Sequence, residues 1–470
     1  MAEEGGGHQV EEALRPPNPR TTWEGCSVLL DINDGDRLVF ARLSPAASLK
    51  IGNKKCFLSP LIGCPYGSLF RVDTGPDGPH LTRISSSSAP SHDNCMQESD
   101  DGQSIDELKD NRSLIDNNTA QSLSSNDIDA MKREGATGDE IVEALIANSS
   151  TFGKKTAFSQ EKYKLKKQKK HAPKVLLRRP STRSICETYF KKHPARIGFL
   201  RMDTLSLLLS MANVGAYSDV LVVDMVGGLL TGAIAERLGG IGYTCSTYFR
   251  SMPYPSDIVR MFNFSSEICS RIIQAPFSDL CSSQNLDNEN SKSHENTQSS
   301  EMQSQTEDSL LTESASKSLI ALSEDPVVLE GDYMPDCRHE NNTSTGCKSA
   351  NSGRKVPPEL VKLWNERGFS SLIVAAPELE LGSLIQDLLP LLSYSAPFAI
   401  YHQFLQPLAT CMHRLQTSRM AINLQISEPW LREYQVLPSR THPMMQMSAC
   451  GGYILSGIRI CSSEACNGNN

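Results

Sequence analysis

The stretch "VLVVDMVGGLLTGAIAERLGG", Val220 to Gly240, constrains the fold of this chain more than any other. Unbroken apolar β-formers lead into an acid, Asp224, then into small residues and a helical pattern. A strand buried on both faces and followed at once by a helix belongs to an open, mostly parallel sheet. The same alternation recurs around it. "IGYTCSTYF" reads as a strand with a helix near residues 256–262 after it; "SSLIVAAP", "APFAIYHQF", "AINLQISE" and "GGYILSGIRI" read as strands, with "LGSLIQDLLPLL" and "PLATCMHRLQ" as helices between them. Residues 196–280 and 354–463 are therefore predicted to form one α/β domain.

Ahead of it, residues 22–81 alternate in short apolar bursts separated by turn formers such as Asn33-Asp34-Gly35 and Pro65-Tyr66-Gly67. That period-two pattern predicts a small antiparallel, barrel-like β-domain. Residues 114–195 are read as a helical basic connector. Ser124 with Asp127, and Thr137 with Glu140, have capping-box spacing ahead of "IDAMK" and "IVEALIAN". An apolar helix, "TLSLLLSMANV", follows. Residues 82–113 and 281–353 are polar, acidic and serine-rich, and are expected to be disordered.

Charge follows this division. Cys281 to Thr345 carries −10 and Thr82 to Asn118 carries −5, against −8 for the whole chain, so the segments expected to fold are net basic. The fourteen cysteines show no C-x-x-C or His/Cys cluster, which predicts reduced thiols and no metal. No membrane association is expected. The N-terminus lacks an apolar signal core, and the most apolar region, Phe199 to Leu230, is broken by Arg201, Asp203, Asp219 and Asp224.

A cofactor site after Asp224 needs glycines where the backbone approaches the ligand, and an acid at the end of the next strand for ribose hydroxyls. The D-x-G-x-G-x-G frame places Val226, Gly228 and Leu230 at the glycine positions, and Gly239 to Pro255 contains no Asp or Glu. Asp224, Gly227 and Gly228 thus read as a degenerate turn that shapes the fold without holding a cofactor. "NSSTFGKKT" fails as a P-loop twice, and neither G-x-S-x-G nor H-E-x-x-H occurs. His402 and His413 are read as packed or solvent-facing, and no catalytic residue is assigned.

The positive signal is basic. Lys162 to Arg183 holds ten Lys/Arg (Lys162, Lys164, Lys166, Lys167, Lys169, Lys170, Lys174, Arg178, Arg179 and Arg183) and no acid. Such a run suits phosphate contacts, although a solvated basic face or an import signal shares the pattern.

Several long segments in order ("LIGCPYGSLFRV", "FSQEKYKLKKQKK", "RPSTRSICETYF", the quoted turn with its flanks, and "LREYQVLPSRTHPMMQMSACGGYILSG") resemble the non-catalytic subunit of eukaryotic tRNA (adenine-N1)-methyltransferase. The resemblance implies an N-terminal β-barrel-like domain and a C-terminal degenerate Rossmann-like methyltransferase domain. It further implies no bound cofactor here, S-adenosylmethionine in a catalytic partner, an α2β2 heterotetramer, a nuclear location, and N1-methyladenosine at position 58 of the tRNA T-loop as product. Where the catalytic paralogue carries a D-L-P-E-P-like motif, this chain has Ala375-Ala376-Pro377-Glu378-Leu379, so Ala375 stands in place of the catalytic acid. The tRNA-binding candidates are Lys162, Lys164, Lys166, Lys167, Arg178, Arg179 and Arg183, with Arg432, Arg440 and His442 from the C-terminal segment. The competing readings are an active S-adenosylmethionine-dependent RNA methyltransferase and an RNA-binding, translation-associated scaffold.

Overall fold

A computed structural model describes residues 20–52, 54–75, 78–84, 121–281, 356–436, 441–448 and 450–461. The acidic linker beyond residue 84 and the acidic insert beyond Cys281 lie outside the described residues.

The N-terminal unit opens with β1 (Ser27–Ile32), β2 (Arg37–Arg42), β3 (Ser48–Ile51), β4 (Lys54–Phe57), β5 (Leu69–Gly75) and β6 (Gly78–Arg83). The β1–β2 turn is the one marked by Asn33, Asp34 and Gly35, all with positive φ. Three helices follow: α1 (Ser125–Arg133), α2 (Gly138–Ala147) and α3 (Ala157–His171). Both expected capping boxes form, Ser124 with Asp127 at α1 and Thr137 with Glu140 at α2.

One reading is corrected. Residues assigned to the helical connector include a strand, β7 (Lys174–Arg178), and it is central in the N-terminal sheet, whose order is β2-β1-β7-β5-β6. It pairs antiparallel with β1 (Leu30 opposite Leu177) and with β5 (Phe70 opposite Val175). The reason is packing. Val175 and Leu177 are fully buried in a core with Val28, Leu30, Phe70 and Val72, and the flanking charges reach solvent from the strand ends. The helices α1 to α3 are thus an excursion between two strands of one sheet.

Beyond α4 (Thr182–Lys192) and α5 (Met202–Met211) the chain builds the second sheet. Its elements are β8 (Ser218–Asp224), α6 (Leu229–Leu238), β9 (Gly242–Tyr248), α7 (Ser266–Ser270), β10 (Ile272–Pro276), α8 (Phe277–Cys281), α9 (Pro358–Arg367), β11 (Ser371–Ala375), α10 (Leu381–Leu388), β12 (Pro397–His402), α11 (Leu405–Ser418) and β13 (Ala421–Ser427). A two-residue ribbon, β14 (Tyr434–Gln435) with β15 (His442–Pro443), precedes the last strand, β16 (Tyr453–Arg459). Strand order is β10-β9-β8-β11-β12-β16-β13, parallel except for β16, which runs antiparallel to both neighbours. Apolar cores cover both faces. This is a doubly wound, Rossmann-like sheet whose order reverses between β8 and β11, so its ligand crevice belongs beyond the ends of those two strands. The segment expected to be a helix near 256–262 is a 3-10 turn, Asp257–Phe262.

Nine of the described cysteines are free thiols. No helix among the described residues is long and apolar enough to cross a membrane.

Because β7 joins two halves of its sheet, Leu177→Ala is expected to cost about 2–5 kcal/mol. Urea unfolding of the full chain measures this, and a cost near that of an exposed position would show that β7 is peripheral.

Candidate functional site

The crevice at the switch point is filled by the chain itself. β8 ends at Asp224, whose carboxylate is almost fully buried. It accepts four hydrogen bonds from the turn that follows. Oδ1 takes the backbone N–H of Val226 at 3.0 Å and of Gly228 at 3.2 Å; Oδ2 takes the N–H of Thr231 at 2.8 Å and its Oγ1–H at 2.9 Å. Backbone N–H groups at a helix start are an anion cradle, and here the anion is a side chain of the preceding strand. Burial raises the carboxyl's pKa above its ordinary value, against the opposing pull of those donors.

The two glycines serve packing. Gly227 and Gly228 both have positive φ, at +76° and +88°. A Cβ on Gly228 would lie 2.7 Å from the Ser256 Cα, and one on Gly227 2.9 Å from the Ile258 Cδ1. The Ile258 N–H donates to the Gly227 carbonyl at 3.2 Å, and Phe262 sits where a Cβ on Gly232 would fall. Ile258 and the two residues that replaced frame glycines, Val226 and Leu230, are fully buried in one cluster. Asn263 clamps the far end of this segment to the N-terminal sheet, accepting from the Ser27 N–H at 2.8 Å and donating to the Ser27 carbonyl at 2.7 Å.

The remaining positions agree in kind. Ala375 ends β11 directly beside Asp224 in register and is fully buried. Past the end of β9, where an acid for ribose would stand, Arg250 instead reaches the Glu378 carboxylate at 2.9 Å. His402 is buried with its Nδ1 accepting from the Phe404 N–H at 2.9 Å; burial lowers its pKa. His413 faces solvent on α11. Ser256, Ile258 and Arg250 were not singled out from sequence. The only signal was indirect: a frame with Val226 and Leu230 implies something that packs on them.

The basic candidates separate into groups on different parts of the fold. Lys162, Lys164 and Lys166 are exposed on α3, with Lys162, Lys166, Lys169 and Lys170 on one face by helical period. Lys167 and Lys155 lie over the Tyr163 ring, 5.2 and 4.7 Å from its centroid. Arg179 is exposed after β7. Arg178 is otherwise engaged: its Nη1 holds the Asp31 carboxylate at 3.1 Å, and that side chain is only 7% exposed. Arg183 pairs with Glu187 at 2.9 Å on the surface of α4. The run has no acid of its own, but folding brings Asp31, and Asp36 for Lys169, against it. Arg432 stacks on Trp430 at 5.4 Å, both exposed; His442 Nδ1 donates to the Pro443 carbonyl at 2.9 Å; Arg440 lies outside the described residues.

Similarity to known proteins is extensive. The pattern defining the Gcd10p family matches residues 23–310. The chain is 34% identical over 440 residues to the tRNA (adenine(58)-N(1))-methyltransferase non-catalytic subunit of Dictyostelium discoideum, covering 93% of this chain and 79% of that one. It is 30% identical to the subunit of the same name from Mus musculus, covering 97% and 92%. Among solved structures it is similar to tRNA (m1A58) methyltransferase TrmI from Aquifex aeolicus, at 11% identity and a TM-score of 0.43, covering 94% of this chain and all of that one.

Two substitutions probe the filled turn. Gly228→Ala forces a Cβ onto the Ser256 backbone at positive φ and is expected to destabilise by about 1–3 kcal/mol. Thr231→Val removes one donor to Asp224 and is expected to cost about 1 kcal/mol. Both are read by denaturant unfolding; a neutral Gly228→Ala would mean that segment 256–258 does not press on the turn.

Proposed function

The chain belongs to the Gcd10p family, and from that premise we propose that it is the non-catalytic, tRNA-binding subunit of a complex that forms N1-methyladenosine at position 58. The observation that carries this reading is the turn at residues 224–231. Its donors are spent on Asp224, its glycines admit Ser256 and Ile258, and Ala375 beside it has no proton-accepting atom in its side chain. A ligand entering there would have to displace the chain's own packed side chains. In this reading S-adenosylmethionine belongs to a catalytic partner, and this subunit retains the sheet as a scaffold for pairing.

The contribution of this chain is then to hold the substrate. The exposed lysines of α3 form one candidate phosphate-contacting surface, Arg179 beyond the far end of β7 is a separate candidate contact, and Arg432, stacked on Trp430, is another on the C-terminal unit. An α2β2 assembly would let surfaces from two subunits grip one tRNA. The proposed location is the nucleus.

Mixing experiments test the division of labour. Methylation of a tRNA transcript is expected only when this chain and its catalytic partner are combined. Calorimetry of this chain alone with S-adenosylmethionine is expected to show no saturable binding, and micromolar affinity would assign cofactor chemistry to it. Co-purification without a stoichiometric methyltransferase would favour the scaffold reading. Charge reversal at Lys162, Lys166 and Arg179 is expected to weaken tRNA binding about tenfold or more and flatten its salt dependence. Arg178→Glu should instead lower stability, because it strands the buried Asp31 beside a second acid.

A further inference from the structure

The lysines of α3 lead toward a cavity that no reading above uses. It lies where β4, of the two-stranded β3–β4 ribbon, and β5 of the N-terminal sheet meet α1, the start of α2 and the end of α3, and has a volume of about 70 Å³. Its lining gathers Lys54, Arg71, Lys132 and His171 with Thr74 and Thr137, from segments far apart in sequence. The compact meeting of helices is deliberate in one respect: a Cβ on Gly138 would lie 2.6 Å from the His171 carbonyl oxygen, so only glycine lets α2 begin against the end of α3.

The charges there are poorly balanced. Asp73 is the one acid in the lining, and Arg71 Nε holds it at 2.9 Å. Lys54 Nζ donates to the Thr74 hydroxyl at 2.7 Å, a partner without charge. Lys132 reaches Asp129 at 2.8 Å in a solvent-exposed i,i+3 pair, which neutralises little. The first turn of α2 points its N–H end this way, but Asp139 and Glu140 in that turn offset its dipole. His171 reports the resulting field: its pKa is pushed down to about 4, by burial first and then by Lys170, Lys132, Lys167 and Lys54. Its ring is neutral at physiological pH and keeps an N–H to donate. Lys54, Arg71 and Lys132 thus meet at this lining against a single lining acid, Asp73, which Arg71 already holds.

We propose that this cavity is a binding site for a single phosphoryl group, held by Lys54, Lys132 and Arg71. The volume admits one tetrahedral oxyanion. The cavity follows directly from the C-terminal end of α3, so a backbone that tracks Lys162, Lys166 and Lys170 would arrive at it. A phosphate of a tRNA backbone is therefore the favoured source, and in that respect the proposal rests on the tRNA-binding reading above.

The test uses the full chain, a Lys54→Gln/Lys132→Gln double variant, and Lys362→Gln on the surface of α9 as a control outside the cavity and outside the basic run. Thermal unfolding is compared in inorganic phosphate and in chloride at matched ionic strength. Phosphate is expected to raise the Tm of the wild type and of Lys362→Gln by about 2 °C or more, and not that of the double variant. The salt dependence of tRNA binding is measured on the same three proteins, and the double variant is expected to lose about one unit of slope in log K against log salt. An equal phosphate response in all three proteins overturns the proposal. Loss of the phosphate response with an unchanged tRNA slope keeps the phosphoryl site and assigns it to a free phosphate or phosphorylated small molecule. Failure of the wild type to bind tRNA sinks the tRNA-binding reading, while the phosphate measurement still decides the cavity.

Discussion

The Asp224 carboxylate takes four donors from a single turn, and the arrangement of the C-terminal unit follows from that convergence. With the acid as cap, α6 starts immediately after β8 without a ligand. With the turn drawn tight around it, the segment from Ser256 to Phe262 closes over Gly227, Gly228 and Gly232 at van der Waals range. Asn263, at the end of that segment, then fixes the N-terminal sheet through Ser27. A buried carboxylate satisfied by four donors thus links the switch point of the large sheet to the junction between the two sheets. Removing the carboxylate would orphan three backbone N–H groups at once, which is a larger penalty than any one of those hydrogen bonds contributes.

The strands of the large sheet were legible because they are buried on both faces: β8, β11 and β12 are nearly continuous apolar runs between turn formers. The capping boxes were legible because they are local. So was the damage to the glycine frame, since Val226, Leu230 and Ala375 can be checked against a fixed spacing. What fills the turn was not legible, because Ser256 and Ile258 reach it through tertiary packing that leaves no periodic trace. The strand β7 was absorbed into a helical connector because its five residues are bracketed by lysines and arginines, and its partners β1 and β5 lie far back in the chain. Charge counting failed at Arg178 for the same reason: its counter-ion, Asp31, is distant in sequence and adjacent in space.

The two sheets divide the chemistry between them. The large sheet packs apolar side chains at its switch point, whereas most exposed cations of the basic run stand on the N-terminal unit, on α3 and beside β7. Val226, Leu230 and Ile258 are fully buried at that switch point, at the density of a core. On the α3 face Lys162, Lys164 and Lys166 are exposed, while Lys169 is paired with Asp36.

The position of β7 also sets the order in which the protein can be made. Until Lys174–Arg178 leave the ribosome, β1–β2 and β5–β6 are two separate hairpins with an open slot between them, each presenting unpaired edges. The chain must close a loop running from Arg83 to Lys174 before that slot is filled. Nascent chains that stall within α1 to α3 therefore expose a vacancy shaped for one strand. The N-terminal unit is in this sense built by self-complementation, and a cut within the intervening loop would leave two fragments still held by the ladders of β7.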